Sequence, residues 1–85
     1  MRIAWQIEPV HGKVYVLNLE TKKFYHFEGV SKKIWVLISE GVEFNTIVNR
    51  LSKKYDIDMN TIYDDTVSFC KSLFLEGLVM KNEKF

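Results

Sequence analysis

The spacing of hydrophobic and polar positions changes once along this chain. Residues 2–9 alternate apolar with other positions, and residues 13–19 and 23–28 are rich in β-branched and aromatic side chains, the marks of strands. Residues 20–22 (Glu-Thr-Lys) suit a short turn, so the second and third stretches predict a β-hairpin. Pro9 closes the first stretch and His11-Gly12 supplies a turn after it. The N-terminal third therefore predicts a three-stranded antiparallel meander.

From Val30 onward the period is that of a helix. Ile34, Trp35, Leu37 and Ile38 form one stripe, stopped by Gly41. Phe44, Ile47, Val48, Leu51 and Tyr55 form a second, with Arg50, Lys53 and Lys54 on its other side and basic charge in the last turn, where the helix dipole favours it. Asp58 is placed to cap a third helix that runs through Ile62, Thr66, Phe69 and Leu73 to a stop at Gly77. The stretch Leu78–Asn82 adds a short strand or wing in this reading. The third helix carries a second stripe one residue later, Tyr63, Val67, Cys70 and Phe74. At about 100° per residue the two stripes together make a face wider than one packing layer needs. Either the helix is wedged between two surfaces, or part of that face is open to a partner.

Composition narrows the possibilities. Eighty-five residues, 47 % hydrophobic and 27 % charged, with a single proline, describe one folded domain over residues 1–85. A net charge of +1 gives no field that holds nucleic acid or an anionic membrane unless the cations gather on one face. No apolar run approaches the ~20 residues of a membrane span, and no secretory signal pattern opens the chain. The lone Cys70 has no partner for an internal disulfide. These features lead to the expectation of a cytoplasmic protein.

Catalytic chemistry is missing from the pattern. His11 and His26 have no Cys or acidic partner at ligand spacing, and the four glycines are scattered instead of forming a phosphate loop. Asp64 and Asp65 are adjacent on a helix and point about 100° apart, so they cannot share one substrate atom. Cys70 lies in an apolar stripe without a nearby base and reads as a small buried or groove-lining residue. The expectation is no enzyme and no cofactor.

A sheet followed by three helices is also the element order of winged helix-turn-helix DNA binders. Their last helix needs Arg, Lys, Asn or Gln to meet phosphates and base edges. Here the third helix and its end carry Asp64, Asp65 and Glu76 against Lys71 alone. The cations lie elsewhere, at Lys22, Lys23, Lys32 and Lys33, a placement that suits an acidic peptide better than a duplex.

Residues 17–35, LNLETKKFYHFEGVSKKIW, resemble the hallmark stretch of the PqqD-like proteins, also called RiPP recognition elements: a strand ending in an aliphatic-acidic turn, a tyrosine-rich strand, then an Ile-Trp helix. Residues 44–79 resemble the rest of that pattern, with a second helix, the sequence YDID before the third, and a terminal EGL followed by an aliphatic residue. The likeness spans about residues 13–79. Lys22 stands where a turn glycine is usual, Glu28 where asparagine commonly opens the first helix, and Ser31 where a glycine is frequent.

The resemblance implies an α+β, winged helix-turn-helix-like domain that binds the leader segment of a ribosomally made precursor peptide and presents it to a modifying enzyme, such as a radical SAM enzyme, a cyclase or a leader peptidase. In that family the leader adds as a strand to the third strand, in a groove against the third helix. Edge strands supply unpaired N–H and C=O groups for this mode of recognition. The expected site is the strand Lys23, Phe24, Tyr25, His26 and Phe27, with Tyr25 and Phe27 toward the helices, faced by Tyr63, Val67, Cys70 and Phe74 and bordered by Asp64 and Lys71. No nucleic acid, membrane or metal is expected. A free edge strand also leaves a homodimer open. The competing readings are a winged-helix transcriptional regulator and a purely structural association module.

Overall fold

Strict alternation marks the middle strand: Val14, Val16 and Asn18 are buried while Tyr15 and Leu17 are not. The computed structural model of the chain describes residues 2–79. In it β1 (Ile3–Ile7), β2 (Val14–Asn18) and β3 (Phe24–Phe27) form an antiparallel meander in the order β1-β2-β3. Val14 pairs with Phe27 and Val16 with Tyr25 on one side of β2; Ile7 pairs with Val14 and Trp5 with Val16 on the other. Directly paired residues share a face of a sheet. Ile3, Trp5, Ile7, Tyr25 and Phe27 therefore point to the same side as the buried valines, toward the helices, and Ala4, Gln6, Phe24 and His26 point away.

Three helices cover the inner face: α1 (Gly29–Ser39), α2 (Phe44–Tyr55) and α3 (Met59–Leu75). This α+β arrangement matches the expected fold. The third helix begins where Asp58 accepts hydrogen bonds from the N–H groups of Asn60 and Thr61 at 3.0 and 3.3 Å, the cap anticipated for it. Helices α1 and α3 end alike. Gly41 and Gly77 take φ of 79° and 73°, and the next residue's N–H turns back to the carbonyl of Leu37 or Leu73, a closure that only glycine enters without strain. In α3 the closure also seats Leu78 beside Leu73 in the core.

The core has two parts. Ile34, Phe44, Ile47, Val48, Leu51, Ile62 and Cys70 pack where the helices meet. Val14, Val16, Trp35, Leu73 and Leu78 pack between sheet and helices. Trp35 is central to the second, with Trp5 edge-on at 5.9 Å and Phe27 at 5.6 Å. Each of these side chains contributes on the order of 1.5–3 kcal/mol by leaving water. Among the described residues no helix is long and apolar enough to cross a membrane. Of the segment 78–82, expected to form a wing, residues 80–82 lie outside the described residues.

Candidate peptide-binding site

The hydrogen bonds at the ends of β2 decide which way each backbone group in the sheet points. Asn18 N–H donates to the carbonyl of Lys23 at 3.0 Å, on the β3 side. Glu8 N–H donates to Lys13 O at 2.8 Å and Leu19 N–H to Arg2 O at 2.9 Å, both on the β1 side. Main-chain direction alternates along an antiparallel strand. Tyr25 and Phe27 therefore turn their N–H and C=O groups toward β2, and Phe24 and His26 turn theirs outward, away from the sheet. Among the described residues, the outer side of β3 is a bare rim with donors and acceptors at those two residues.

Side chains along β3 split by face. Tyr25 donates its hydroxyl hydrogen to Glu76 Oε1 at 3.1 Å, and desolvation, joined by the neighbouring carboxylate, raises the phenol above its ordinary pKa. Phe27 stands edge-on to Phe69 at 5.1 Å. On the opposite face Phe24, 63 % exposed, and His26 line up against Tyr15 at 5.5 and 6.2 Å. Phe24 also borders a shallow concavity of about 360 Å³, together with Ala4, Trp5, Gln6, Glu8, Tyr15 and Leu17. Lys23 lies just before β3, with its ammonium 3.6 Å from Glu76 Oε1. Lys22 and Lys23 together oppose Asn18, because Lys22 N–H also donates to Asn18 O at 2.8 Å. This is a bulge whose first residue, Lys22, sits at φ 65°, where glycine is usual.

The expected opposite wall needs correction. The side of α3 that reaches β3 carries Phe69 and Glu76, seven residues apart and so on one helical face. Asp65 and Ser72, both exposed, fall on that stripe. The stripe Tyr63, Val67, Cys70 and Phe74 lies on the other flank. Tyr63 packs with its ring tilted against Phe44 of α2 at 5.3 Å, and Val67 packs on the interhelical cluster. Cys70 is 2 % exposed inside that cluster and has no surface to offer; burial pushes its thiol up to about 11. Phe74, Asp64 and Lys71 are exposed, but their positions turn them away from β3 as well. Periodicity marks the core stripe and this one flank beside it; only the packing of α2 shows that the flank turns away from the sheet. The pattern places Phe69 on the core stripe and counts Glu76 only in the charge balance of the helix, so it marks neither residue that touches β3.

The basic residues are spread by the fold. Lys23 is paired with Glu76, and Lys13 with Glu28 at 3.6 Å. Lys33 of α1 meets Lys54 of α2, whose pKa is lowered by this second ammonium. Among the described residues no three His, Cys, Asp or Glu side chains gather closely enough to hold a metal ion.

A search of curated proteins returns no match. A solved structure described as TbiB1 in complex with the TbiA(beta) leader peptide is similar in fold, with a TM-score of 0.85 and 24 % identity, covering 94 % of this chain and 91 % of that one. Residues 13–79 match the family model of coenzyme PQQ synthesis protein D (PqqD). That match takes in the β2–β3 hairpin and all three helices, and by it the chain belongs to the PqqD family.

Proposed function

We propose that this protein is a non-catalytic recognition element that captures the leader segment of a ribosomally synthesised precursor peptide by strand addition to β3 and presents it to a modifying enzyme. The observation that carries this reading is the bare rim of β3, with the N–H and C=O groups of Phe24 and His26 directed outward next to α3. An extended peptide pairs with such a rim without sequence demands, at about 0.5–1.5 kcal/mol net per hydrogen bond. Its alternate side chains then fall on two surfaces. One set lies over the surface where Tyr25 and Phe27 meet Glu76 and Phe69, and the other lies over the row of Phe24 and His26. Two or three apolar anchors at about 1.5–3 kcal/mol each exceed the roughly 2–5 kcal/mol that ordering a leader costs. Family membership and the leader-bound TbiB1 structure support the same reading.

The modifying enzyme in this reading is one that acts on peptides, such as a radical SAM enzyme, a cyclase or a leader peptidase, and the encounter takes place in the cytoplasm.

The test follows from the register. Proline at position 26 removes an outward N–H while sparing every bond to β2, a placement edge strands tolerate. Calorimetric titration with a synthetic N-terminal segment of the precursor encoded beside the gene is expected to saturate at one peptide per chain. His26→Pro is expected to weaken binding about tenfold or more; Phe74→Asp, on the α2 flank, is expected to leave it unchanged. Undiminished binding by a folded His26→Pro protein sinks the proposal. A saturable shift of duplex DNA at physiological salt would favour the regulator reading instead.

A further inference from the structure

Among the described residues, the sheet has a second bare rim. Ala4 and Gln6 turn their main-chain groups to β2, so Ile3, Trp5 and Ile7 turn theirs outward from β1. The side chains of the same three residues point to the helix side, where Trp5 and Ile7 remain 40 % and 48 % exposed. Beside them lies an apolar hollow of about 280 Å³, lined mainly by Ile3, Trp5, Trp35, Ile38, Leu78 and Val79. Proteins guard exposed edges with lysine, proline, bulges or a covering loop. The stretch Ile-Ala-Trp-Gln-Ile of β1 has neither charge nor proline, and its pairing with β2 runs without a bulge.

We propose that this rim is the contact for a second copy of the chain, joined antiparallel and centred on Trp5. Charge and pattern both select that occupant. About Trp5 the strand is self-complementary: Trp5 faces the partner's Trp5 and Ile3 faces the partner's Ile7, so all outward groups meet outward groups. Ala4 falls opposite the partner's Gln6. One step beyond the strand, Arg2 falls opposite the partner's Glu8, and the two-fold axis repeats that opposite-charge pair at the other end. A slip of one residue sets outward groups against groups already bonded to β2. A slip of two leaves Ile3 or Ile7 without a partner and breaks the Arg2–Glu8 match. In the centred register the partner's Ile7 comes beside Ile3, at the mouth of the hollow. Both β3 rims stay free at the far ends of the joined sheet, so this contact does not depend on leader binding.

Sedimentation equilibrium of the whole chain, from micromolar to millimolar concentration, tests the inference. Wild type is expected to move toward twice the monomer mass. Arg2→Glu, which sets like charges opposite each other at both ends, and Ile7→Pro, which removes an outward N–H, are each expected to weaken association about tenfold or more with circular dichroism and melting unchanged. Register is read independently. Residues 4 and 6 of opposite copies come within disulfide reach in the centred pairing, so Ala4→Cys protein mixed with Gln6→Cys protein is expected to cross-link under mild oxidation, and Ala4→Cys protein alone is not. A monomer across the whole range, or a dimer indifferent to Arg2→Glu and Ile7→Pro, overturns the proposal. So does a dimer that is lost in His26→Pro, which would place the contact on β3.

Discussion

Two residues show how local chemistry is settled by backbone and burial. Lys22 holds a left-handed conformation that costs a non-glycine residue about 1–2 kcal/mol, whereas glycine loses roughly 0.5–1 kcal/mol in chain entropy on being fixed. Lys22→Gly is therefore expected to stabilise the protein by about 0.5–1 kcal/mol, seen as a higher urea midpoint at unchanged slope. The turn glycine usual in the family marked this position in the sequence. Cys70 carries a different signature. Its pKa is raised by burial from 9.0 to about 11, so the folded protein keeps a proton that the unfolded chain releases. The resulting stability is complete below pH 9 and is lost as the pH rises toward 11. Cys70→Ala is expected to flatten that part of the stability profile relative to wild type. Native Cys70 is also expected to resist a thiol reagent at pH 8 until the protein is denatured, since the thiolate is the reacting form.

Helix α3 and the hairpin mark the limits of what the amino-acid pattern conveys at the level of elements. Strand and helix periods, the Asp58 cap and the glycine stops at Gly41 and Gly77 are local signals, and each element lies within a residue or two of its expected place. The alternation in β3 likewise assigned Tyr25 and Phe27 to the helix side. The rotation of α3 about its axis is not a local property. It follows from Phe44 meeting Tyr63 and from Cys70 filling the interhelical core, contacts between residues far apart in sequence. Asn18 was equally hidden. It reads as a residue near the end of a strand, yet it is 4 % exposed and ties the turn to α3. Its Nδ2 donates to Glu76 O at 3.2 Å, and its Oδ1 accepts from the N–H groups of Glu20 and Thr21 at 2.9 and 3.2 Å. Asn18→Ala leaves these groups without partners and is expected to cost about 2–4 kcal/mol, measurable by thermal melting. The loss of Glu76's anchor is expected to weaken leader binding by more than the loss of stability explains.

At the scale of the whole molecule, a three-stranded sheet with helices on one face divides its surfaces among separate tasks. One rim, with the face of α3 beside it, suits a peptide, the opposite rim suits a second copy, and the helical flank carrying Tyr63 and Phe74 touches neither. The alternation of main-chain direction reaches beyond binding. Amides bonded within a sheet exchange their hydrogens slowly, and those facing water exchange fast. Deuterium uptake followed residue by residue in the free monomer should therefore stripe each outer strand: Ala4, Gln6, Tyr25 and Phe27 protected, Ile3, Trp5, Ile7, Phe24 and His26 labelled early, and β2 slow from end to end. A uniform rate along β3 would contradict the register drawn here. Where either rim is occupied, its fast lanes would fall silent, and the isotope would report which guest had arrived.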